Sequence, residues 1–132
     1  MGRLAGKRMV ITGSSRSLGR AMALACAREG ASLVVNGTNT EALDALCAEL
    51  ADMGASVHAV SGSVAERGVC DALVDACVEQ FGGIDVLVNN AGIVRDRTLL
   101  KMTDEDFDEV IAVDLRGPFM AMRRAAQVMN EQ

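Results

Sequence analysis

The chain has 132 residues, half of them hydrophobic, yet only three Phe and no Trp or Tyr, so its core must be built from Val, Leu, Ile, Ala and Met. A formal net charge of −5 leaves no electrostatic footprint for nucleic acid or an anionic membrane. No apolar run approaches a membrane span, the start has no signal-peptide apolar region, and Gly6 stands where myristoylation needs Ser or Thr; a cytoplasmic chain is expected.

The apolar run Arg8–Thr12 predicts a buried strand. It meets a Gly/Ser turn, Gly13-Ser14-Ser15-Arg16, and then an Ala-rich helix over Ser17–Arg28. Such a turn points backbone N–H groups and the positive end of a helix dipole at one spot, which suits a phosphate or pyrophosphate. Gly13 allows a backbone angle that other residues resist, and Gly19 lets the helix lie close to the strand. Many strand–helix turns bind nothing, so the context decides.

Further along come a strand at Ser32–Asn36, a helix at Thr40–Met53 with Leu43, Leu46 and Leu50 on one face, and a strand at Val57–Ser61. A helix over Val64–Phe81 and a strand over Ile84–Asn89 follow; Ser63 to Glu66 reads as a capping box and Gly82-Gly83 as the helix stop. This alternation predicts an α/β fold, a parallel sheet with helices on both faces and right-handed crossovers. With no linker, repeat or low-complexity segment, residues 1–132 read as one domain. Cys26, Cys47, Cys70 and Cys77 lie in helical patterns without metal-site spacing and read as packing residues in a reducing compartment. The lone His58 sits in a short apolar run and is given no role.

After Asn89 a polar loop, Asn90-Ala91-Gly92-Ile93-Val94-Arg95-Asp96-Arg97, leaves the carboxyl end of the fourth strand, where doubly wound sheets bind ligands. A helix is expected from Thr103, with Phe107, Ile111 and Asp114 on one face. Gly117-Pro118 is expected to break it, and a last helix carries Phe119, Met122, Ala126 and Met129 as an apolar stripe.

Thr12-Gly13-Ser14-Ser15-Arg16-Ser17-Leu18-Gly19 resembles the T-G-x-x-x-G-x-G of the short-chain dehydrogenase/reductase family, and Asn89-Asn90-Ala91-Gly92 its N-N-A-G. The resemblance covers essentially the whole chain, and Asp85–Met102 is similar to the 3-oxoacyl-acyl-carrier-protein reductase branch. It implies a Rossmann-like doubly wound sheet of about four strands in the order 3-2-1-4. It also implies an NAD(P) cofactor with its pyrophosphate over Gly13, Ser15, Arg16, Leu18 and Gly19, its adenine at Ser63 and Val64, and its ribose beside Asn90, Ala91 and Gly92. The second strand ends in Val35-Asn36-Gly37-Thr38, without the carboxylate that would accept from a 2′-hydroxyl. Arg16 and Thr38 are placed to take a 2′-phosphate instead, so NADP is expected over NAD; the plainer reading of Arg16 is a solvated turn residue.

Several positions depart from the family pattern. Ser17 replaces a glycine over which the pyrophosphate passes, which is expected to weaken binding; Ser63 stands for the Asp or Asn that bonds adenine. Asp114 stands for the active-site Asn, in a place that reads as a helix C-terminus, with pairing to Arg116 as the alternative. The family's catalytic Ser, Tyr and Lys have no counterpart in these 132 residues.

The order 3-2-1-4 leaves the apolar run Ile84–Val88 at a sheet edge, and in this family the last helix commonly packs on another subunit. Self-association or a complementary chain is therefore expected. Three readings fit: the cofactor-binding half of an NADP-dependent reductase that does not turn over alone, a non-catalytic nucleotide-binding or interaction module, or a decayed product that binds no ligand. No metal is expected.

Overall fold

The computed structural model describes residues 2–132. Four parallel strands, β1 (Arg8–Ile11), β2 (Ser32–Gly37), β3 (Val57–Ser61) and β4 (Val86–Val88), form one sheet in the order β3-β2-β1-β4, as the resemblance implies. The connecting helices are α1 (Ser17–Arg28), α2 (Thr40–Asp52) and α3 (Arg67–Phe81). In register, Val10 lies between Val34 and Leu87, and Ile11 between Val35 and Val88.

Side chains on a strand alternate between faces, so each central strand must be apolar on both. Met9, Ile11, Leu33 and Val35 pack with Ala23 and Leu24 of α1 and with Leu43, Leu46 and Leu50 of α2. Val10 and Val34 point the other way, into Leu73, Val74 and Cys77 of α3 and Met120, Ala121 and Ala125 of the last helix. β1 and β2 bury most of their apolar side chains, whereas all three residues of β4 are only half-buried at the edge.

β4 is shorter than the apolar run predicts. Gln132 holds Ile84 instead: its amide donates to the Ile84 carbonyl at 2.7 Å and its Oε1 accepts from the Ile84 N–H at 3.1 Å, which takes that residue out of the ladder. At the other end of the strand, the Thr12 N–H donates to the Val88 carbonyl, and the chain then leaves the sheet.

Two local expectations are corrected. Ser63 and Glu66 form no capping box: the Ser63 hydroxyl accepts from Ala65 N–H at 3.2 Å within its own turn, and α3 starts only at Arg67. Its other end is as expected, with Gly82 in the left-handed conformation (φ 85°) and its N–H on the Val78 carbonyl.

Nor does Gly117-Pro118 break the helix. After α4 (Asp104–Ile111) the backbone passes through a π-helical turn, Ala112–Arg116, straight into α5 (Gly117–Glu131), with helical dihedrals at Ala112 and Gly117. A proline removes one helix hydrogen bond and crowds the carbonyl four residues back, here Asp114; the wider π turn takes up that strain. Thr103 caps the start with a reciprocal pair, its hydroxyl accepting from Asp106 N–H and Asp106 accepting from Thr103 N–H.

Candidate functional site

Four loops leave the carboxyl ends of β1, β2, β3 and β4, and buried polar side chains sew them together. Asn36, 2% exposed at the end of β2, uses all of its amide. Its Oδ1 accepts from Gly13 N–H at 3.1 Å, and its Nδ2 donates to the carbonyls of Val60 at 3.0 Å and Gly62 at 3.1 Å. The Ser14 hydroxyl donates to the Ile11 carbonyl and accepts from Asn36 N–H, each at 2.9 Å. Thr12 Oγ1 accepts from the N–H groups of Asn90 and Ala91, both at 3.0 Å, while the Asn90 amide donates to the carbonyls of Thr12 and Gly13. In a low-dielectric interior such a satisfied network holds its members in one arrangement.

The stitched loops frame a cleft of about 420 Å³. Gly13, Ser15, Arg16, Leu18 and Gly19 form its floor at the start of α1; Thr38 lies at the end of β2; Ser63 and Val64 follow β3; Asn90, Ala91 and Gly92 follow β4. Every residue that the sequence singles out for the cofactor thus lines one cleft. Gly37, Gly62, Ile93 and Val113 line it too and are not singled out by the motifs. Gly19 packs so tightly that a Cβ there would strike the Gly13 carbonyl oxygen and the Asn90 amide, while Gly13 itself sits at φ +59°. The helix start is thereby held against the strand end with room above it for a ligand.

Ser17 adopts φ 49° and is the one non-glycine residue with positive φ among the described residues. The chain keeps the left-handed turn that a glycine would make there, at a strain of roughly 1–3 kcal/mol. Arg16 is exposed at the cleft mouth and forms no ion pair among the described residues, whereas Arg20 behind it pairs with Glu49.

Asp114 lies in the π turn rather than at a helix end. Its Oδ1 accepts from Ile93 N–H at 2.8 Å, and it forms no ion pair with Arg116. Nearby, Cys70 is wholly buried, and burial pushes its thiol above its ordinary range, which keeps it protonated as a donor to the Val64 carbonyl. The three residues that organise the cleft without lining it, Thr12, Ser14 and Asn36, carry one signal in the sequence: polar side chains at the ends of apolar strand runs.

Chemically, the cleft offers backbone N–H groups at a helix start, one free guanidinium and several hydroxyls. That set matches an elongated anionic ligand. Among the described residues no helix is long and apolar enough to cross a membrane.

Comparison with known proteins agrees with this geometry. The family described as short chain dehydrogenase matches residues 7–132. A hydroxyacyl-CoA dehydrogenase of Mycobacterium tuberculosis is 47% identical over 98% of this chain and 42% of its own length. A 3-oxoacyl-[acyl-carrier-protein] reductase of Staphylococcus aureus is 38% identical over 96% and 52%. Among solved structures, a short chain dehydrogenase from Burkholderia cenocepacia in complex with NADP superposes with a TM-score of 0.92 at 35% identity, covering 96% of this chain and 52% of its own. One from Burkholderia phymatum in complex with NAD gives 0.92 at 33% identity, covering 97% and 46%. The chain therefore spans about half the length of the relatives it matches. On its fold, its two motifs and these matches, the chain belongs to the short-chain dehydrogenase family.

Proposed function

We propose that this chain is the cofactor-binding part of an NADP-dependent short-chain dehydrogenase/reductase acting on a carbonyl or alcohol, in the manner of a 3-oxoacyl reductase. The observation that carries the reading is the cleft itself, which gathers both motifs beside Arg16 and Thr38 and has no carboxylate at the end of β2. The residues present fit the group: the close approach at Gly13 and Gly19 leaves a cradle over the start of α1, and Asn36 is spent on backbone groups instead of a ribose. When bound, the nicotinamide would supply hydride transfer. The chain's own residues bind and orient it: Arg16 and Thr38 at a 2′-phosphate, the Gly13–Gly19 turn at the pyrophosphate, Ser63 and Val64 at the adenine, and Asn90, Ala91 and Gly92 at the ribose.

General acid–base catalysis needs a positioned proton donor, and these 132 residues hold no tyrosine. We accordingly expect binding without turnover from this chain alone, and activity only with the family's catalytic Ser, Tyr and Lys supplied. The second reading, a non-catalytic nucleotide-binding or interaction module, is favoured by Ser17 and Asp114 at family positions of Gly and Asn. A titration with NADPH, followed by the cofactor's own fluorescence and compared with NADH, tests the cofactor site, and a reductase assay with the family's catalytic residues supplied separates the two readings. Saturable binding that favours NADPH upholds the site, and no binding at millimolar cofactor rejects it.

The same reading extends to assembly in the cytoplasm. Phe107, Ile111, Leu115, Phe119, Met122 and Met129 are each more than a third exposed along α4, the π turn and α5, and the β4 edge is apolar. We expect self-association or a complementary chain there; a strictly monomeric species in sedimentation overturns that part.

A further inference from the structure

The π turn and the first residue of α5 together touch both flanks of the cleft. On one flank, Asp114 holds the Ile93 amide at 2.8 Å, and Ile93 with Gly92 forms the wall after β4. On the other, Gly117 meets the wall after β3: a Cβ at Gly117 would stand 2.8 Å from the Val64 carbonyl oxygen and 2.9 Å from Val64 Cγ2. Cys70 closes this second contact from beneath, its Sγ 3.2 Å from the Val64 carbonyl and 3.7 Å from the Gly117 carbonyl.

The register of the helix explains why a π turn is needed. Alternate loop residues meet a row of carboxylates: Arg97 pairs with Asp106, Arg95 with Glu109, and the Ile93 amide with Asp114. Asp114 follows Glu109 by five residues, the π-helical hydrogen-bond spacing, and a regular α-helix would turn it away from the row. The extra residue that accommodates Pro118 thus also brings Asp114 onto the loop.

We propose that the junction of the π turn with α5 sets the width of the cleft, with Asp114 of the turn and Gly117 of α5 as positioning residues for its two walls. The proposal rests on the cofactor reading above, which puts the adenine at Val64, and it adds that the Ile93 wall at the far side of the cleft faces the nicotinamide half. A dinucleotide lying across the cleft needs both walls at a fixed separation, and one helical turn supplies it.

The test uses two ligands, NADPH and adenosine 2′,5′-bisphosphate, which lacks the nicotinamide half, together with hydrogen exchange at the Ile93 amide. Asp114→Leu is expected to speed that exchange and weaken NADPH about three- to tenfold, the loss of one hydrogen bond, with the bisphosphate unaffected. Asp114→Asn keeps an acceptor and is expected to match the parent in both readouts. Gly117→Ala is expected to weaken both ligands; should it fail to fold, the Asp114 pair decides alone. Parent-like NADPH binding by Asp114→Leu, or an equal loss of both ligands, overturns the proposal, as does parent-like bisphosphate binding by folded Gly117→Ala. A parent chain that binds neither ligand overturns the cofactor reading, while faster Ile93 exchange in Asp114→Leu would still uphold the wall contact.

Discussion

Arg8 and Asp85 clasp the amino ends of β1 and β4 with a two-pronged ion pair, Nε to Oδ2 at 2.9 Å and Nη2 to Oδ1 at 3.0 Å, and the Arg8 N–H adds a third bond to Oδ2 at 2.8 Å. The guanidinium and the backbone N–H hold the Asp85 carboxyl well below the usual carboxylate range, at about 2. This pair ties an edge strand of only three residues to the centre of the sheet.

Because folding lowers the Asp85 pKa from 3.8 to about 2, its contribution to stability is complete above the unfolded value and is lost as pH falls toward 2. Asp85→Asn is expected to lower stability at neutral pH and to flatten the dependence between pH 4 and 2. Urea melts of parent and variant across that range check it; parallel curves would refute it.

Asn36 donates to two carbonyls that no other side chain serves among the described residues. Asn36→Asp keeps the shape but sets an acceptor against the carbonyls of Val60 and Gly62. A loss of about 1–3 kcal/mol is expected from the unmade bonds. Denaturant unfolding at neutral pH measures it, and an unchanged midpoint would mean that the end of β3 and the β3–α3 loop are held by other contacts.

At Ser17, glycine is expected to raise stability by about 1 kcal/mol, since it removes the strain of a left-handed serine. Thermal melting reads this directly. If cofactor affinity rises along with the melting temperature, the serine side chain obstructs the pyrophosphate; if affinity falls, its hydroxyl contacts the ligand.

Arg16→Ala is expected to weaken NADPH about tenfold or more, the worth of a charge-assisted bond to phosphate, and to leave NADH nearly unchanged. Fluorescence titration with both cofactors at one salt concentration checks it. Equal losses for the two would show that Arg16 acts on the pyrophosphate and does not select the 2′-phosphate.

Much of this architecture was written locally in the chain. The strand runs alternate with helical periodicities, so β1 through α3 fall within a few residues of where periodicity puts them. Glycines at positions 13 and 19 and the run Asn89–Gly92 mark strand ends because the turn chemistry needs those residues there. What local signals could not supply was competition between partners. Ser63 bonds to Ala65 instead of capping a helix, and Ile84 is drawn off its strand by Gln132, forty-eight residues away.

The course of the chain through Gly117-Pro118 shows the same division. Read locally, the pair says stop; packed, α5 is anchored by Met120, Ala121 and Ala125 in the core beneath β1, and burial of that face outweighs the local preference. The residue pattern alone settles the fold class, the strand order through the family motifs and the identity of the loops that frame the cleft. The width of the cleft, the commitment of Asn36 to backbone groups and the placing of Asp114 on the Ile93 amide belong to the packed molecule. Each depends on groups far apart in the chain, whose partners are chosen only when the sheet and helices close around them.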